Sequence, residues 1–176
     1  MNNKQIELEE KRKEYIKYIQ EHRNFVKQAF SRFLKANIGD LTPEEIEELR
    51  IAVENHDLSK LEREEFEAYR KHFFPCSFKD TEEVQQEFDI AVKHHYSVND
   101  HHPQNPSRRK VLNKVASIHN ILDWIAMSYR FKDDVWTFYK SSNIREKINK
   151  TERGYIEGIL QEMKIKKDIF YEEKER

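Results

Sequence analysis

Apolar residues recur along this chain mostly at three- and four-residue steps, the spacing that lays one face of an α-helix on a core. Tyr15, Ile19, His22, Val26, Phe30 and Phe33 keep that step through a segment predicted as one long helix over residues 4–36, with His22 inside the apolar stripe. Glu7 to Lys13, near its start, is a charge run that reads as a solvated face. Gly39, within Asn37-Ile38-Gly39-Asp40, supplies a left-handed cap. Thr42-Pro43-Glu44-Glu45 then opens a second helix, with Thr42 as N-cap, Pro43 at the first position and Glu45 completing a capping box. Ile46, Leu49 and Val53 face inward along it, and His56 is the next member of that series.

Leu61 to His72 reads as a short helix with Phe66, Tyr69 and Phe73 inward, ended by Phe74-Pro75. Asp80 and Glu83 cap the next helix. Its core face is Val84, Phe88, Ala91 and His95, with Ile90 and His94 on the adjoining line, so His95 points inward and His94 less so. Ser97 to Pro106 is the one polar loop of any length. Its His101 and His102 have two readings, as a ligand, proton donor or substrate contact, or as a solvated turn. Ser107 reads as the cap of a long helix reaching about Arg130, with Val111, Val115, Ile118, Leu122, Ile125 and Tyr129 as its main stripe. Asp123 lies on the neighbouring line with Leu112, Ala116, His119 and Met127, where a carboxylate is costly unless paired or coordinated. His119, one turn earlier, reads as a further ligand or a partner of one. From Asp133 onward the short helices around Val135, Trp136 and Tyr139, then Ile144 and Ile148, then Thr151 to about Tyr171, read as packing.

These elements predict an all-α, single-domain helical bundle over residues 1–176, with its chemistry in about 15–130 and the helices of 134–172 packed on that part. Composition agrees. Eleven Phe, eight Tyr and two Trp supply core material, and only three Gly and four Pro interrupt the helices. Lys and Arg number 32 against 33 Asp and Glu, so no overall basic field points to nucleic acid. No stretch has membrane-spanning length. A single cysteine, Cys76, leaves no internal disulfide and, with no apolar leader after Met1, points to a cytoplasmic protein.

The candidate chemistry centres on Asn55-His56-Asp57-Leu58-Ser59-Lys60. Adjacent His and Asp place an imidazole nitrogen and a carboxylate oxygen within reach of one cation. His22, His94, His95 and Asp123 each lie at or beside the apolar face of their own helix, which is how bundles build metal centres. Such nitrogen and oxygen donors suit Mn, Fe, Co, Ni or Zn without choosing among them. Arg108 and Arg109, with Lys110, are a compact basic cluster, read either as plain surface or as a phosphate contact.

The ordered pattern His22, His56-Asp57, Asp123 resembles the HD-domain superfamily of metal-dependent phosphohydrolases, over roughly residues 15 to 130. Its spacing is close to that of the small bacterial deoxynucleotidase members. His56-Asp57-Leu58-Ser59-Lys60 resembles the HDxxK form of the HD-GYP branch, and so does the pair His94-His95. The GYP signature is absent, since the chain continues Tyr96-Ser97-Val98-Asn99-Asp100. Cyclic dinucleotide hydrolysis is therefore not carried over, and the chain is most similar to small HD-like proteins of bacterial and phage genomes. The resemblance implies a helical fold whose metal is held by His22, His56, Asp57 and Asp123. It implies that His94 and His95 serve a second ion, with Asp57 as the bridge when two ions bind. Lys60 would neutralise phosphate charge in a small phosphoester or nucleotide, with Arg108 or Arg109 as outer contacts. Two other readings stand beside hydrolysis. One is an oxygen-activating diiron centre on the same fold. The other is a non-catalytic interaction protein, homo-oligomeric or bound to a partner through its charged first helix and tail.

Overall fold

The computed structural model describes residues 2–77, 82–109 and 112–171, with the side chains of Glu82, Glu83 and Arg109 set aside. Across the described residues the fold is all-α, as the periodicity predicts. Helix α1 spans Asn3–Ala36. All six stripe residues from Tyr15 to Phe33, His22 among them, are buried. The chain leaves α1 through three left-handed positions, Asn37 at φ 48°, Gly39 at φ 89° and Asp40 at φ 39°. Only glycine suits the second, because a Cβ there would lie 2.9 Å from the Phe33 ring and 3.2 Å from Ile159.

Helix α2, Pro43–Glu54, begins with the predicted capping box. The Thr42 hydroxyl accepts from the Glu45 amide at 3.2 Å, and the Glu45 carboxylate accepts from the Thr42 amide at 2.8 Å. A 3₁₀ turn, Leu58–Leu61, follows. Helix α3 covers Phe66–Phe73 and starts later than the expected Leu61, because Glu62 to Glu65 form a separate turn closed onto the Glu62 carbonyl. Helix α4 is Glu82–Val98. Asp80 and the Glu83 side chain, its predicted caps, lie outside the described residues, as does Val111.

Helix α5, Lys114–Phe131, corrects the expectation that Ser107 caps it. The Asn105 side chain takes both Ser107 donors, its amide at 2.9 Å and its hydroxyl at 2.7 Å, and the backbone closes there into a 3₁₀ turn, Pro106–Arg109. Asn113 is the real cap, its oxygen accepting from the Ala116 amide at 2.9 Å. Helices α6 (Val135–Ser141), α7 (Ile144–Lys147), α8 (Lys150–Ile165) and α9 (Lys167–Phe170) complete the chain. The expected final helix is thus two, interrupted at Lys166. No helix among the described residues is long and apolar enough to cross a membrane.

The chain forms two compact units, each assembled from separate stretches. Unit 1 is Met1–Glu21 with Asp57–Asn99, and unit 2 is His22–His56 with Asp100–Arg176. In unit 1, α3 packs on α4 around Tyr15, Ile19, Tyr69 and Ala91, with Phe66, Phe74 and Phe88 against them. His72 lies flat on Phe88, ring centroids 3.8 Å apart. Ile90, expected beside the core, is 67% exposed. Unit 2 is built on α5, whose Ile118, Ile121, Leu122 and Ile125 have no exposed surface and meet α2, α6 and α8. Burying each such side chain contributes about 1.5–3 kcal/mol, so unit 2 holds the larger apolar reserve.

Candidate metal-binding clusters

In unit 2, three predicted residues come together. His22 sits in the apolar stripe of α1, His56 just past the end of α2, and Asp123 on α5. His22 Nε2 lies 3.0 Å from His56 Nε2 and 3.0 Å from Asp123 Oδ1, and His56 Nε2 lies 3.8 Å from the same oxygen. Both histidines are buried, and the Asp123 side chain is 14% exposed. A point equidistant from the three donor atoms is about 1.9 Å from each, close to the roughly 2.0–2.2 Å that transition metals keep from imidazole and carboxylate. The donor set therefore fits such an ion.

Two more imidazoles surround His56. Its Nδ1 is 3.0 Å from His119 Nε2, and the His101 ring lies 4.7 Å from the His56 ring and 4.5 Å from that of His119. His101 is 1% exposed, which excludes the solvated-turn reading for it. His102 is half-buried against His101, ring centroids 4.1 Å apart. His56, His101 and His119 also form a group able to hold an ion. That group competes with the first for the His56 ring: a neutral imidazole that offers Nε2 to one cation keeps its proton on Nδ1.

Unit 1 gathers Asp57, Lys60, His94 and His95 around a residue the sequence did not single out, Glu65. Asp57 follows the end of α2 in the left-handed region, φ 56° and ψ 19°, a conformation aspartate tolerates better than most residues. Its Oδ1 lies 3.3 Å from His95 Nε2, and its Oδ2 accepts from the Lys60 ammonium at 2.6 Å. Glu65 has no exposed surface; its two oxygens meet His94 Nδ1 at 2.8 Å and His95 Nδ1 at 2.9 Å. Burial alone would lower the His95 pKa, but hydrogen bonds to Asp57 and Glu65 outweigh it and raise it above the ordinary imidazole value. Burial pushes the Glu65 carboxyl up, yet its bonds to His95, His94 and Ser59 hold it below the usual carboxylate range.

The basic cluster lands differently. Arg108 was read either as plain surface or as an outer phosphate contact; its guanidinium is buried in unit 2, paired with Glu152 of α8 and donating to the His101 carbonyl and, at 3.3 Å, to Ser117 Oγ. The Arg109 side chain and Lys110 lie outside the described residues. Glu65 and Glu152 carried no periodic signal, because each stands among other charged residues. A run such as Glu62-Arg63-Glu64-Glu65 shows its one inward member only by its place beside Phe66.

Taken together, these are the features of an all-helical protein whose buried histidines and aspartates gather in groups that can hold a metal ion. The chain belongs to the family of unknown function DUF5662, whose model matches residues 11–165 and so covers every residue of both clusters. No curated protein and no solved structure matches it.

Proposed function

We propose that the protein is a metal-dependent phosphohydrolase acting on a nucleotide or a related small phosphoester. The observation that carries this reading is the convergence of His22 Nε2, His56 Nε2 and Asp123 Oδ1 on one point. These donors occur in the order found in the HD-domain superfamily. A divalent transition ion held there supplies a water of lowered pKa and polarises a phosphoryl oxygen. The protein's part is to keep the donors dry and fixed. His119 Nε2 faces His56 Nδ1 and orients the ring, while burial excludes competing water. In unit 1, Asp57 and His95 form a second convergent donor pair. Lys60 is the group we assign to phosphate charge, and it must exchange its contact with Asp57 for one to a phosphoryl oxygen.

The test is the metal content of the purified protein beside its His56→Ala variant, followed by hydrolysis of phosphomonoesters and phosphodiesters. Stoichiometric transition metal in the first, lost in the second together with at least about a 100-fold drop in hydrolysis, is expected. Full hydrolysis by the His56→Ala and Asp57→Ala variants would overturn the reading. The abundance of further imidazoles, His94, His95, His101 and His119, favours one alternative, an oxygen-activating diiron centre. Bound iron with oxygen-dependent turnover would support it, and an unchanged rate under anaerobic conditions would dismiss it. Bound metal with neither activity would leave a non-catalytic protein with a structural ion.

A further inference from the structure

The proposed chemistry assigns no role to Glu65, the most enclosed carboxylate among the described residues of unit 1. It occupies the N-cap position of α3, where an acidic side chain ordinarily accepts from the helix's own first amides, yet it makes no such bond. Its Oε1 turns instead to His94 Nδ1 and its Oε2 to His95 Nδ1. An ionised carboxylate only accepts hydrogen bonds. Both Nδ1 atoms must therefore carry a proton, and a neutral imidazole has only one to place. Each ring is left with a lone pair at Nε2.

The surroundings agree with this direction. Asn99 approaches His95 Nδ1 at 3.1 Å, but its two amide protons have acceptors at 2.9 Å in the His95 carbonyl and Ser59 Oγ. Ser59 Oγ also lies 3.1 Å from His95 Nδ1, farther than Glu65 Oε2 at 2.9 Å, so the carboxylate is the nearer acceptor for that N–H. Asn99 donates to Ser59 Oγ, and His94 and His95 feed the Glu65 carboxylate. At the far side of the ring, His95 Nε2 faces Asp57 Oδ1 at 3.3 Å. In the neutral ring these are two acceptors facing each other, and a positive charge, either a second proton on His95 or a cation, satisfies both.

We propose that Glu65 is a positioning residue that holds His94 and His95 in the Nδ1–H form and so presents both Nε2 atoms as ligands, that of His95 together with Asp57. The tautomer part stands on the hydrogen bonds alone; the ligand part rests on the metal-dependent reading above. Glutamine at this position keeps one acceptor oxygen and replaces the other by a donating amide, so it cannot satisfy two Nδ1–H groups at once.

Ring ¹⁵N spectra of the metal-free protein, taken at alkaline pH where the imidazoles are neutral and assigned with His94→Asn and His95→Asn variants, test the first part. The protein itself is expected to show Nδ1–H at both rings, and Glu65→Gln to turn one of them to Nε2–H. Zinc titration tests the second part: Glu65→Gln should weaken the ion lost in Asp57→Asn by about 10- to 100-fold, with the ion lost in His22→Ala unaffected. Nε2–H at both rings of the unaltered protein would overturn the proposal without any variant. So would identical tautomers in Glu65→Gln. Correct tautomers with no zinc bound by the unaltered protein would refute the ligand part and the metal-dependent reading together, leaving Glu65 as a tautomer lock only.

Discussion

His95 in unit 1 and His56 in unit 2 are equally buried, each 1% exposed, yet they are held by opposite chemistry. His95 lies between carboxylates, Glu65 on one nitrogen and Asp57 on the other, and neither can donate. His56 lies between imidazoles, His22 on Nε2 and His119 on Nδ1, each of which gives or takes a proton as required. In the first case the neighbours dictate the state of the ring. In the second the ring and its neighbours settle it jointly, and a cation arriving at Nε2 decides it for all of them. Burial alone therefore does not define what a histidine is for; the hydrogen-bonding capacity of its partners does.

The largest expected effect comes from removing the dictating partner. Glu65→Leu takes the carboxylate acceptor from the buried His95 and from His94, whose side chain is 33% exposed, and should destabilise the metal-free protein by about 3–5 kcal/mol. The matching change in unit 2, His119→Leu, removes one imidazole partner of His56 and should cost about 1–2 kcal/mol. Urea unfolding of the two variants measures the difference, and equal losses would break the comparison.

Next in size is a pH dependence carried by His95. His95, its pKa raised above the ordinary 6.5, contributes stability that is complete below that value and lost as pH rises through the folded pKa. Glu65, lowered from 4.5, contributes stability that is complete above that value and lost as pH falls through its folded pKa. The melting temperature of the metal-free protein should thus fall as pH is raised from about 6.5, and Glu65→Gln should flatten that fall. An equally steep decline in the variant would assign the titration elsewhere.

The smallest effect serves as a control. Thr42→Ala removes one member of the α2 capping box and should cost about 1 kcal/mol. Since Thr42 touches neither cluster, zinc affinity at both should stay within about twofold. A change in zinc binding would show that α2 positions His56 through its start as well as its end.

What the sequence discloses follows the same division. The stripe from Tyr15 to Phe33 places His22 correctly because helical periodicity reports burial directly, and the capping box at Thr42 is a local pattern with a local cause. Asp57 was legible as a candidate from its neighbour His56, though the left-handed backbone at Asp57 was not. Glu65, Arg108 and Glu152 were illegible for one reason. Their burial depends on a partner distant in sequence, and charged residues in charged surroundings look alike until that partner is placed. The Ser107 cap failed because Asn105, two residues earlier, accepts from Ser107's own amide and hydroxyl and closes a 3₁₀ turn there, a choice that propensity does not rank.

The ion pair of Arg108 with Glu152 has a practical bearing on how the protein can be dissected. Glu152 belongs to α8, in the part of the chain that carries no candidate ligand, yet the guanidinium it neutralises also grips the backbone of His101. A shortened fragment ending after α5 would retain His22, His56, His101, His119 and Asp123 while stripping the counter-charge from a buried arginine. Such a fragment would lose its hold on the loop beside the histidines, and its silence in a metal-binding assay would report a missing brace and not a missing ligand.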